Sequence, residues 1–262
     1  ELVQAADKEA RSAGDKIRQV IVRYGNVSQD VQIANSLGKI VTDCRNRTTM
    51  IVHVVAAEGS VVQTGYESLG TYGDKSVFTR ETAQELAAMS ARRALMLLKA
   101  KPAPAGRMAV VLAGEAGGTM IHEACGHGLE ADIVGKEMSV YAGKMDQRVA
   151  SELVTVVDDP TLPGKYGSYA YDDEGTLAQK TVLIRNGVLE SYMYDLEWAR
   201  RQGSQSTGNG RRQSFQFRPI PRMSNTYLAS GQTQPEEIIA RTNHGLLVKR
   251  MGGGQVNPTT GD

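Results

Sequence analysis

Two of the four histidines in this 262-residue sequence bracket a carboxylate, in the string His122-Glu123-Ala124-Cys125-Gly126-His127. Imidazoles and a carboxylate this close together are the groups that zinc catalysis uses: nitrogen ligands for the ion, and a base that takes the proton of a water activated at the metal. At average residue usage an HExxxH string arises by chance in only roughly one per cent of chains of this length. In the commoner spacing the two histidines lie four apart and share a helix face. A separation of five turns them about 140° away from each other on a regular helix, and one ion then cannot reach both. A local widening, such as a π-type bulge, brings them back together, and Gly126 makes the backbone there easy to deform. On this reading His122 and His127 are metal ligands and Glu123 is the general base. Glu130 is expected on the same helix face as His127, either orienting that ligand as a hydrogen-bond acceptor or binding the metal directly.

Other residues have plainer expectations. His53 lies in an apolar, strand-like run and reads as a packed core residue, and His244 sits at a helix end, where its charge suits the dipole. Cys125 reads as a small buried residue. Tyr166, Tyr169 and Tyr171 with Asp172, Asp173 and Glu174 are able to line a site, although a solvated turn is the expectation. Arg211 and Arg212 are able to hold a substrate carboxylate, although ordinary surface exposure is the expectation. No serine nucleophile elbow, Walker loop or dinucleotide fingerprint occurs.

The elements that must position this motif follow from periodicity. A helix is expected over residues 1–14, then an antiparallel sheet from Val-, Ile- and Thr-rich segments between about 16 and 65. Thr79 or Thr82 caps a helix running to about residue 99, whose Ala83, Leu86, Ala87, Ala91, Ala94 and Leu98 form one apolar stripe that packs across the sheet. The stretch KPAPAG at 101–106 reads as a linker and divides the chain into domains 1–104 and 105–262. In the second domain RMAVVLAG predicts a strand, GEAGG a turn and TMIHEACGHGLEADIV a single helix bearing the motif. ELVTVVDD predicts a strand, and KTVLIRNGVLESYMY a hairpin turning at Asn186-Gly187. Residues 200–221 lack periodicity and read as a long loop, and PEEIIARTNHG as a short helix stopped by Gly245. The fold class is therefore α+β: an antiparallel sheet with a long helix, followed by a β-rich domain that carries the motif helix.

Composition narrows the function classes. Thirty Lys and Arg balance 29 Asp and Glu, so no net field favours nucleic acid or an anionic membrane surface. The longest apolar runs fall far short of the roughly 20 residues needed to cross a bilayer. Only Cys44 and Cys125 are present, which fits reduced thiols and a cytoplasmic home, and the polar N-terminal stretch carries no signal-peptide pattern. The absence of an initiator Met and the Gly-rich end suggest a piece of a longer chain.

The strings MIHEACGHGLEAD, VVDDPTLPGKYGSYAYDDEG, STGNGRR and GGGQVNPTTGD resemble the TldD/PmbA family, peptidases also described as modulators of DNA gyrase. The resemblance runs through most of the chain and, because HExxxH is kept, points to the metal-bearing TldD type. It implies a zinc-dependent peptidase that degrades short or unfolded peptides and matures precursor peptides, paired with a TldE (PmbA) subunit or with a second copy of itself. His122 and His127 would be zinc ligands and Glu123 the base. The family's third ligand is a cysteine beyond the end of this sequence, matched by neither Cys44 nor Cys125, and a further domain precedes its start. The alternatives are a non-catalytic module that holds peptides by strand addition and a gyrase-modulating regulatory subunit.

Overall fold

Apolar and polar residues alternate most regularly before residue 72. There the computed structural model, which describes residues 1–261, places helix α1 (Leu2–Ser12) ahead of strands β1 (Ile17–Ala34), β2 (Ile40–Glu58) and β3 (Val61–Tyr72). The strands lie in the order β1-β2-β3. β2 and β3 are antiparallel in unbroken register, from Arg47 opposite Tyr72 to Glu58 opposite Val61. Side chains alternate faces along a strand, so Met50, Val52, Val54 and Ala56 of β2 all point inward and are buried. They meet helix α2 (Arg80–Leu97), whose stripe of Ala83, Leu86, Ala87, Ala91 and Ala94 is buried with Ala6 and Ala10 of α1. Thr79 is the cap: its side chain accepts from the Thr82 amide. Burying each of Met50, Val52 and Val54 contributes roughly 1.5–3 kcal/mol. Close contact between α2 and β3 requires Gly65, because a Cβ there would lie 1.9 Å from the Ser90 carbonyl oxygen. His53 points to the other face of β2, half-buried opposite Tyr66. It is not a core residue, because its neighbours in the alternation take the inward positions.

Contacts divide the chain into two units. One contains residues 1–30, 44–105 and 163–166; the other contains residues 31–43, 106–162 and 167 onward. The second unit begins its regular structure with β4 (Ala109–Leu112) and α3 (Gly114–Ile121), and the short α4 (Ala131–Val134) follows the motif. Next come β5 (Val156–Asp158), β6 (Thr181–Arg185), β7 (Val188–Leu189), α5 (Leu196–Arg201), β8 (Gly210–Arg211), β9 (Ile220–Pro221), β10 (Thr226–Leu228), α6 (Pro235–Arg241) and β11 (Gly245–Val248). The order β10-β5-β6-β7 makes an antiparallel sheet, β8 pairs with β9, and β11 runs parallel to β4. The expected hairpin is present: Asn186 and Gly187, with φ of 48° and 82°, turn β6 into β7, as a two-residue type I′ connection requires. Leu129, Leu183, Ile184, Leu189 and Met193 form the core of this unit. Among the described residues, no helix is long and apolar enough to cross a membrane.

Five local expectations change. Residues 200–221 are not one loop, since they include the end of α5 and the paired strands β8 and β9, too short to leave a period. GEAGG is not a turn but the start of α3, so the motif is entered from a helix. The strand expected in ELVTVVDD shrinks to Val156–Asp158. Gly245 does not stop α6; it opens β11, where a Cβ would lie 2.5 Å from the Ala109 carbonyl oxygen. The stretch from Tyr169 to Glu174 is not a solvated turn. Tyr169 and Asp172 are buried, and Asp172 accepts from the amides of Glu174, Thr176 and Gly210. Burial pushes Asp172 up to about 6 and Glu174 up to about 7. Hydrogen bonds do the packing in this stretch, and they leave no hydrophobic period to read.

Candidate metal centre

The five-residue spacing of the histidines has a direct structural counterpart. Helix α3 runs into a π-helical turn over His122–Gly126, and the His127 amide donates to the His122 carbonyl five residues back. A tighter 3₁₀ turn, His127–Leu129, follows. The wider turn returns both side chains to one side: their ring centroids are 4.7 Å apart, with the planes at 88°. His122, Glu123 and His127 each present a ligand atom, and these atoms lie within 4.8 Å of one another. Two imidazole nitrogens and a carboxylate oxygen are a donor set suited to zinc. Gly126 takes ordinary right-handed helical angles, φ −54° and ψ −59°. What it supplies is space, because a Cβ would lie 2.0 Å from Met223 Sδ.

Glu130 is not on a helix continuous with His127. The chain turns extended at this residue, φ −75° and ψ 122°, before α4 begins. Its carboxylate nevertheless returns to the site: Oε2 lies 3.5 Å from His127 Nδ1 and 3.0 Å from Arg222 Nη1. Hydrogen bonding to Glu130 holds the His127 imidazole above its ordinary pKa, with burial opposing. Arg222 Nη1 also lies 3.7 Å from Asp132 Oδ1. Glu130 is only 1 % exposed, and its Oε1, like Asp132 Oδ1, is buried without a hydrogen-bond partner. Glu130 is outside the mutually close group of His122, Glu123 and His127.

Sequence reasoning missed Arg222, because nothing in a composition of 30 basic residues pairs it with a glutamate 92 positions away. It also missed Asp158. That buried carboxylate accepts from Asn209 Nδ2, the Ser224 amide and hydroxyl, and Thr226 Oγ1, all at 2.7–2.8 Å. Asn209 Nδ2 donates as well to the Arg222 carbonyl at 3.0 Å, so Asp158 sets the chain that carries Arg222 and Met223. Cys125 is half-buried against the core of this unit, where burial pushes its thiol up and Tyr141 Oη lies 3.6 Å away. Neither Cys125, His53 nor His244 joins the ligand group.

A cavity of about 460 Å³ opens at this centre, lined among others by His122, His127, Glu130, Arg211, Arg212 and Arg222. Arg211 and Arg212, expected as ordinary surface residues, are part of its wall. The pairing of β8 with β9 and the bond from the Gly210 amide to Asp172 hold them there.

Residues 105–262 match the PmbA/TldA metallopeptidase C-terminal domain, and residues 1–98 the central domain. The chain belongs to the PmbA/TldD metallopeptidase family. Relatives carry consistent names. A metalloprotease of Methanocaldococcus jannaschii is 40% identical over 247 residues, covering 94% of this chain and 54% of its own. A metalloprotease TldD homologue of Haemophilus influenzae is 38% identical over 266 residues, covering 100% and 55%. The chain thus spans about half the length of the curated PmbA/TldD relatives it matches. In fold it is similar to the crystal structure of a proposed modulator of DNA gyrase from Thermotoga maritima, with a TM-score of 0.83, 23% identity and coverage of 98% and 58%.

Proposed function

We propose that this chain is the metal-bearing core of a zinc-dependent peptidase, in which His122 and His127 hold the ion, Glu123 is the general base and Glu130 orients His127. The observation that carries the reading is the convergence of three donor atoms within 4.8 Å across a π turn. Zinc bound by such residues supplies Lewis acidity toward the scissile carbonyl and makes water a stronger acid. Glu123 takes a proton from the attacking water and delivers it to the departing amine. Glu130, beside His127 Nδ1, fixes that ring's orientation and favours the tautomer with Nε2 as the lone-pair donor. Arg222 keeps the Glu130 carboxylate in place. Catalytic zinc takes three protein ligands, and by the family resemblance we assign the third to a cysteine outside this sequence.

The same reading takes residues 1–104 as a central domain and 105–262 as part of a C-terminal peptidase domain. Its substrates are short or unfolded peptides, including precursor peptides, cleaved in the cytoplasm together with a TldE/PmbA-type subunit or a second copy. The test uses full-length protein. Stoichiometric zinc is expected by metal analysis, and Glu123→Gln retains the metal while cleavage falls about 10²–10⁴-fold. Absence of zinc, together with cleavage indifferent to Glu123→Gln, overturns the reading. Peptide binding without turnover in such a protein would indicate a binding module.

A further inference from the structure

We propose that the cavity at the metal centre selects peptides by a carboxylate, received by the guanidinium groups of Arg211 and Arg212; this rests on the peptidase reading above. Three arginines line the cavity against a single lining carboxylate, that of Glu130. Arg222 is committed to Glu130 and Asp132. Arg211 and Arg212 form no ion pair among the described residues, and their contacts hold them without cancelling their charge. Arg211 Nη1 donates to the Met223 carbonyl at 2.5 Å, and its guanidinium lies 5.8 Å from the centroid of the buried Tyr169 ring. Arg212 Nη2 donates to the Asp173 carbonyl at 3.4 Å, while the Asp173 carboxylate takes the Arg212 backbone amide at 2.8 Å.

Charge in a partly enclosed cleft draws an oppositely charged ligand, and guanidinium is the side-chain group that matches a carboxylate in a two-pronged hydrogen-bonded pair. Because the backbone of β8 is already held by β9 and by Asp172, little ordering remains to be done when the ligand arrives. The carboxylate has two possible sources in a peptide, the chain terminus or an Asp or Glu side chain near the scissile bond.

Four peptides of equal length separate them, offered to the zinc-loaded full-length protein with its partner subunit. One is neutral and C-terminally amidated, one neutral with an unblocked C-terminus, and two amidated with a single Glu before or after the cleaved bond. The expected result is a kcat/KM for at least one carboxylate-bearing peptide about tenfold or more above the amidated neutral one. Within Arg211→Gln and Arg212→Gln that ratio collapses toward one, and added salt lowers it in the wild type. The Arg212 side chain is exposed, so Arg212→Gln decides the matter if Arg211→Gln fails to fold. A wild-type ratio of one, or a ratio that survives both substitutions, overturns the proposal. Cleavage of none of the peptides would instead sink the peptidase reading. Fluorescence anisotropy of the same labelled peptides on zinc-loaded Glu123→Gln then decides carboxylate selection from binding alone.

Discussion

Replacing Arg222 by Gln removes a cation that faces two buried carboxylates and puts a shorter, neutral side chain in its place; Lys136, 3.7 Å from Asp132, and His127, beside Glu130, remain. Arg222 Nη1 lies 3.0 Å from Glu130 Oε2 and 3.7 Å from Asp132 Oδ1. At an effective dielectric of about 20, opposite charges at that first distance attract by about 5 kcal/mol. The Arg222 side chain is 38 % exposed, so water already screens part of this attraction. Breaking a fully buried pair costs about 3–5 kcal/mol. For this half-exposed partner a loss of about 2–3 kcal/mol follows, or about 5–10 °C in the melting temperature of a domain of this size. The functional consequence is separate: with Glu130 no longer anchored, His127 loses its orientation, and zinc affinity falls about 10–100-fold. Thermal denaturation of metal-stripped full-length protein reads the first effect, and chelator competition reads the second. In a Glu130→Gln background the same substitution should cost clearly less, since the buried charge it strands is gone. A melting temperature within a degree of wild type, with unaltered zinc affinity, would show that Arg222 and Glu130 are not coupled and that the proposed support of His127 is wrong.

Gly126→Ala places a methyl group 2.0 Å from Met223 Sδ. It should cost about 1–3 kcal/mol and weaken zinc binding by chelator competition, whereas wild-type affinity would mean that the π turn does not need the space. Gly65→Ala meets backbone, 1.9 Å from the Ser90 carbonyl oxygen, where neither α2 nor β3 yields cheaply. A loss of about 3 kcal/mol is expected in urea denaturation, and a neutral result would refute that contact. Burial raises Glu174 from 4.5 to about 7, so the native state keeps a proton that the unfolded chain releases in that window. The stability this group contributes is full below pH 4.5 and is lost as pH rises through 7. The melting temperature of Glu174→Gln relative to wild type should therefore climb between pH 5 and pH 8, and a difference independent of pH would contradict the burial.

Much of the site was legible because it is local. His122, Glu123 and His127 fall within six residues, and the arithmetic of helix turns demands a widened backbone if one ion is to meet both imidazoles; the π turn supplies it. The α2 stripe, its Thr79 cap and the Asn186-Gly187 hairpin were legible for the same reason: each is a pattern of neighbours within one element. What the pattern could not convey lies in pairs far apart in the chain. Arg222 reaches Glu130 across 92 positions, and Asp158 accepts from Ser224 across 66. Arg211 read as an ordinary surface residue but is half-buried, and Arg212 is exposed as expected; that both line one cavity carries no signature in the sequence. Tyr169 and Asp172 read as a turn because burial achieved through hydrogen bonds leaves no hydrophobic period. Periodicity and spacing thus marked the long elements and the six-residue string whose three side chains converge, since those depend on backbone geometry over a few turns. The support of the imidazole and the charge of the cavity were settled by folding, which alone brings distant carboxylates and guanidiniums within a few ångströms.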